Sequence, residues 1–128
     1  MLSLGRRVCV VLLAVLFVVL VMPARQGRSE SDGSRVVAVR NRTGTDLYGL
    51  FLAPTGSGAW GEDLLAGRRL DEGEQLDVTF PWGARAIWWD IRVENREGRA
   101  VEWKEIPLRR LRRVTLYFQG GRPVARGE

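Results

Sequence analysis

The chain has no histidine, a single cysteine and a single lysine. Without histidine no side chain has an ordinary pKa near neutrality. That excludes imidazole acid–base catalysis, Ser-His-Asp and Cys-His nucleophile systems, and histidine metal ligands. The one cysteine, Cys9, lies inside an apolar run, so an internal disulfide, a Cys-x-x-Cys redox motif and a thiolate cluster are excluded too. The one lysine, Lys104, follows Trp103 rather than glycine, so there is no Gly-Lys phosphate loop. Helical periodicity is also missing from the body of the chain. What is there in excess is arginine, glycine and tryptophan: all but one of the 20 basic residues are arginine, beside 15 Gly and 5 Trp in 128 residues. An arginine bias this strong reads first as coding composition and only second as arginine chemistry.

The formal charge of +5 raises the question of nucleic acid. The distribution answers it. Arg6, Arg7, Arg25, Arg28, Arg122 and Arg126 lie in the terminal stretches. Between Arg35 and Phe118 there are 14 basic and 12 acidic residues, a net of +2, and the two signs interleave. A phosphate-binding face needs several unopposed cations, so nucleic acid is not an expected partner.

The N-terminus has the order of an export signal. Met1 to Arg7 is short and positive, Val8 to Met22 is unbroken and apolar, and Pro23 and Ala24 precede a polar stretch. Two readings stand. Cleavage after Ala24 makes residues 1–24 a signal peptide. Retention makes them a membrane anchor, although a spanning helix wants about 20 apolar residues. Both place the rest of the chain outside the cytoplasm, in the periplasm, outside the cell or tethered to a membrane. Residues 25–34 then form a polar linker, 35–119 the folded domain and 120–128 a flexible tail. Membrane contact is expected only through the N-terminal segment, where it is uncleaved.

From Arg35 onward apolar residues recur with period two, the mark of strands with one buried face. The runs are Val37–Val39, Leu47–Phe51, Leu76–Phe80, Ile87–Val93, Val101–Trp103 and Val114–Phe118. In the second run the alternation places Leu47, Gly49 and Phe51 on one face, and Tyr48 and Leu50 on the other. Between the runs stand turn residues: Asn41-Arg42-Thr43-Gly44, Asp71-Glu72-Gly73-Glu74, Pro81-Trp82-Gly83 and Asn95-Arg96-Glu97-Gly98. The last is the strongest hairpin signal, since Gly98 can take positive φ. Gly61 to Ala66 is expected to form one helical turn closed by Gly67, and Leu108 to Arg112 a similar short turn. The fold class is all-β: a small antiparallel β-sandwich of six or seven strands.

Three blocks carry a resemblance. Asn41-x-Thr43-Gly44 leads into Leu47-Tyr48-x-Leu50-Phe51-Leu52-x-Pro54. Trp60-Gly61-x-Asp63-Leu64-Leu65 follows, and then Asp90-Ile91-Arg92-Val93-Glu94 with Trp89 as the preceding aromatic. With Glu102-Trp103 and Ile106-x-Leu108, the pattern resembles a family of small exported bacterial β-rich proteins of no assigned activity. It spans about Asn41 to Leu116. The family often has Asp where this chain has Glu94. The resemblance implies an exported β domain and supplies no catalytic residue.

Four sets of side chains are candidates for binding. Trp60, Trp82 and Trp88 form the first, as aromatic anchors for a glycan or protein, with Tyr48 and Tyr117 as possible extensions of the strip. Trp60 can equally plug one end of the sandwich. The second is a carboxylate set, Glu62, Asp63, Asp90 and Glu94, which would serve calcium if the loops bring them together. Surface ion pairing is the simpler use of those acids. The third is a basic patch, Arg109, Arg110, Arg112 and Arg113, suited to anionic headgroups or a polyanionic envelope polymer, or to a solvated turn. The fourth is a pair of carboxylates for glycoside chemistry, which this small chain has little room to shape into a cleft. The expected function is therefore a non-catalytic interaction module of the cell envelope, with an envelope or extracellular protein or glycan as partner. A calcium-stabilised structural domain is the alternative, and a carboxylate-dependent hydrolase the remote third.

Overall fold

The computed structural model describes residues 34–81 and 85–128. These fold into seven strands: β1 (Ser34–Arg42), β2 (Gly49–Pro54), β3 (Gln75–Pro81), β4 (Trp89–Glu94), β5 (Ala100–Ile106), β6 (Arg113–Gln119) and β7 (Arg122–Gly127). A 3-10 turn, Leu108–Arg110, links β5 to β6. One sheet has the order β3-β1-β6-β7 and the other β2-β4-β5. The expected small β-sandwich is what forms. Every pairing is antiparallel except β1 with β6, which run parallel at the centre of the larger sheet.

The core lies between the sheets. Val39 sits between Leu76 on β3 and Val114 on β6 in register. Val37, Val78 and Leu116 complete that side, facing Leu50, Leu52, Ile91, Val93 and Trp103 of the smaller sheet. Period two gives each of these strands one apolar face, and burying both faces against each other removes them from water together.

Three expectations need correction. In β2 the inward residues are Leu50 and Leu52, while Phe51 is half-exposed on the outer face beneath the Arg92 guanidinium, 6.0 Å from the ring centre. Leu47 is buried too, but before the strand: it forms an isolated bridge with Leu70, and a bend at Tyr48 resets the alternation. Residues 61–67 do not make a helical turn. Asp63 to Ala66 and Leu65 to Arg68 close two successive β-turns, with Ala66 and Gly67 both at positive φ. Residues 120–128 are not a loose tail but contain β7. Gly120 and Gly121 both have positive φ, as a type I′ two-residue hairpin requires, and return the chain along β6. Pro123 is tolerated because β7 is an edge strand.

The connections define two ends. At the proximal pole β1 starts, β3 ends, β6 starts and β7 ends, and there too β2 ends, β4 starts and β5 ends. The distal pole holds the Asn41–Tyr48 and Arg69–Glu74 loops and the β4–β5 hairpin. In that hairpin Asn95 Oδ1 accepts the N–H groups of Glu97 (3.1 Å) and Arg99 (2.8 Å), and Gly98 has φ +77°.

Candidate functional site

The polar residues of the sequence motifs turn out to hold the frame. Asn41 is fully buried at the end of β1. Its Nδ2 donates to the carbonyls of Thr45 (2.8 Å) and Leu70 (3.1 Å), and its Oδ1 accepts from Thr43 N–H (3.1 Å) and Oγ1 (2.7 Å). One side chain thus fixes the loop that follows β1 and ties it to the strand-like segment at Leu70.

Asp63 does the same for the edge of β2. Its Oδ1 accepts Leu50 N–H (3.0 Å) and Leu65 N–H (2.9 Å). Gly61 N–H and Leu64 N–H donate to the carbonyls of Leu52 (3.0 Å) and Leu50 (2.8 Å). The segment from Gly61 to Leu64 therefore covers what would otherwise be an open sheet edge. Gly56, Gly58 and Gly61 also have the spacing of a dinucleotide-binding loop. That chemistry needs a helix N-terminus after the glycines, and here an irregular stretch and two β-turns follow instead.

Asp90 is the one buried carboxylate among the described residues, with 5% of its surface exposed. Its Oδ1 accepts Thr55 Oγ1–H (2.7 Å) and Glu105 N–H (2.9 Å). Glu105 sits at φ +57°, where the β4–β5 register shifts. A non-glycine residue there is strained, on the order of 1–3 kcal/mol, and needs support from its surroundings. The Asp90 carboxylate supplies it.

The four carboxylates of the metal reading are thus not brought together. Glu62 is exposed, Asp63 binds the edge of β2, Asp90 supports the bulge at the proximal pole, and Glu94 pairs with Arg92 at 3.2 Å towards the distal pole. Among the described residues no three His, Cys, Asp or Glu side chains gather around one point. The other ion pairs lie on the surface. Asp71 and Asp46 flank Arg69 and raise its guanidinium pKa, chiefly through the hydrogen bonds that Arg69 donates to the Asp71 carboxylate. Glu102 raises that of Lys104 through a hydrogen bond at 3.1 Å.

The tryptophans separate as well. Trp60 is half-buried on the loop that covers β2. Trp82 lies outside the described residues. Trp89 and Trp103 are core, and each indole N–H finds a carbonyl: Ala86 for Trp89 (3.2 Å) and Val124 for Trp103 (2.9 Å). Trp103 also packs on Phe118 with ring centres 5.4 Å apart. Trp88 is different. It immediately precedes β4, its carbonyl accepts Thr55 N–H (3.0 Å), and its side chain is 48% exposed beside Ile87, which is 50% exposed. The aromatic strip with Tyr48 and Tyr117 does not form. Tyr48 is at the distal pole, and Tyr117 pairs with Arg42 and Val124 on the outer face of the larger sheet.

What the fold does assemble is at the proximal pole. Thr55, Ala86, Ile87, Trp88 and Glu105 line an open cleft of about 540 Å³. At the same pole the 3-10 turn carries the basic patch. Leu108 is buried as its anchor, and the Arg35 side chain donates to the carbonyls of Arg109 and Leu111 (3.2 Å for the latter), holding the turn against the start of β1. Arg113 pairs with the Glu128 carboxylate at 3.2 Å, while Arg110 and Arg112 are exposed. Sequence spacing marked the arginines and Trp88 separately. Their common pole follows from the β4–β5 hairpin, which sets Trp89 opposite Ile106, and the pairing of β1 with β6 brings the start of β1 to the same pole. Among the described residues no helix is long and apolar enough to cross a membrane. Comparison with protein-family models, with curated proteins and with solved structures finds no match to this chain.

Proposed function

We propose that this protein is a non-catalytic binding module that works outside the cytoplasm, in the cell envelope. The observation that carries the reading is the exposed Ile87–Trp88 pair on the rim of the proximal cleft. A tryptophan about half in water and backed by a rigid strand is a typical binding anchor. The polar groups nearest to it are structural: Asp90 is occupied by Thr55 and Glu105. Among the described residues the cleft lining holds one carboxylate, Glu105, whose backbone N–H Asp90 accepts. The order of charge, apolar run and polar stretch in the first 34 residues supports export, and so does the resemblance to small exported proteins.

Expression with the native N-terminus, followed by fractionation and intact-mass measurement, tests the compartment. A mass beginning near Arg25 in the soluble exported fraction supports a released module, and a full-length mass in the membrane fraction supports a tethered one. A full-length product in the cytoplasmic soluble fraction overturns the reading. The cleft is tested by Trp88→Ala, which removes an exposed side chain and leaves the core intact. Envelope retention is expected to fall while the melting temperature stays within about 2 °C. Unchanged retention would remove the cleft from the function.

A further inference from the structure

We infer that the proximal pole is a membrane-docking surface, and that its ligand is an anionic lipid bilayer. Three independent features meet there. The first is apolar. Ile87 and Trp88 project half-exposed from the tip of the smaller sheet, and tryptophan is the side chain most at home at the water–lipid boundary. The second is charge. Arg110 and Arg112 are exposed, and among the described residues neither side chain has an ion pair or hydrogen bond. Arg109 stands on the same turn, and Arg85 is exposed just before Ile87. Of the acids at this pole, Asp90 is buried and held by Thr55 and the Glu105 N–H, Glu128 is taken by Arg113, and Glu105 borders the cleft, while Lys104 is taken by Glu102. Cations therefore prevail around the apolar tip.

The third feature is where the chain arrives. β1 begins at this pole, and residues 23–33 join it to the apolar run Val8–Met22. That stretch spans at most about 40 Å when fully extended. A chain retained through its apolar run therefore enters the domain at this pole and holds it near the bilayer; because β1 is only about 30 Å long, the tether alone would let either pole touch, and the charge and apolar features decide which one docks. Tethering raises the effective lipid concentration seen by the pole, so weak contacts suffice. The distal pole is balanced instead: Asp46 and Asp71 flank Arg69, Glu72 faces Arg42, Glu94 pairs with Arg92, and Glu97 shares its hairpin with Arg96 and Arg99. A domain polarised in this way orients itself on a negative surface. The inference takes from the envelope reading only that a bilayer is at hand.

The test uses the full chain carrying Cys9→Ser and one introduced cysteine, either Ile87→Cys or Glu97→Cys, each labelled with an environment-sensitive dye. Both sites are exposed, and circular dichroism confirms that each variant folds. The chains are reconstituted with vesicles of phosphatidylcholine, with and without one third phosphatidylglycerol, that contain brominated lipid as quencher. Depth of the label is the readout, since the apolar run alone can bring the chain to either vesicle. Quenching at position 87 on anionic vesicles, absent at position 97, is expected. Arg110→Gln with Arg112→Gln should lower the docked-to-undocked ratio about thirtyfold, and high salt should act in the same direction. Equal quenching at 87 and 97 overturns the inference. So does quenching at 87 that ignores lipid charge and both arginines. Arginine-dependent binding to soluble polyphosphate without quenching on vesicles also overturns it, in favour of a polyanion site. A cytoplasmic location found by fractionation would sink the envelope reading while leaving the vesicle result as it stands.

Discussion

Asn41 and Asp90 show how little of the buried polarity in this domain is available for chemistry. Asn41 satisfies two carbonyls and accepts two protons from Thr43, so its amide is fully used. Asn41→Ala would leave the Thr43 N–H without its partner and take one of two donors from each of the Thr45 and Leu70 carbonyls, which keep the Thr43 hydroxyl (3.1 Å) and the Leu47 N–H (2.9 Å). Urea unfolding is expected to show a loss of about 2–4 kcal/mol. A loss below about 1 kcal/mol would mean that water replaces the amide without strain. The carboxylates lead to a second expectation. Because Asp63, Asp90 and Glu94 serve separate backbone and side-chain partners and Glu62 is exposed apart from them, millimolar calcium should leave the melting temperature unchanged. A rise with calcium that a chelator reverses would bring back the calcium-stabilised reading. The residue identities were legible in the sequence. Their roles were not, because an Asp that binds a backbone N–H and an Asp that binds a metal look alike until the loop around it is folded.

Strands were legible where the alternation was uninterrupted. β1, β3, β6 and the inner part of β4 keep the expected phase. The phase of β2 was lost at Tyr48, because a single bend between Leu47 and Gly49 exchanges the two faces of everything after it. β7 was missed for a different reason. An edge strand needs only one half-buried row, so Arg122-Pro123-Val124-Ala125 shows little alternation, and only Gly120-Gly121 marks the hairpin. Yet β7 is structural. Val124 receives the Trp103 indole N–H, the Glu128 carbonyl receives the N–H of Arg112 (2.7 Å), and Leu111 packs so closely on Gly127 that a side chain there would clash. A chain ending at Gln119 should therefore lose on the order of 3 kcal/mol and about 15 °C in melting temperature, with Trp103 becoming more accessible to acrylamide. A truncated chain that melts like the intact one would restore the flexible-tail reading.

At the scale of the whole molecule the deciding feature is the parallel pairing of β1 with β6. Ala38 lies opposite Arg113 and Arg42 opposite Tyr117, across most of the domain's length. This pairing places the chain's arrival and the arginine turn at one pole, and so underlies the docking inference. It also governs folding. β1 is an inner strand of the larger sheet, flanked by β3 on one side and β6 on the other, and Val37 and Val39 cannot be buried until both neighbours are present. Closing so long a loop before any reward from the pairing raises the barrier, as in other β-sandwiches. Stopped-flow refolding followed by tryptophan fluorescence should show the main phase in the millisecond-to-second range. An N-terminal fragment ending before β6 should stay unfolded. Submillisecond refolding, or a cooperative melt from that fragment, would show that the smaller sheet folds alone and that β1 docks on it later.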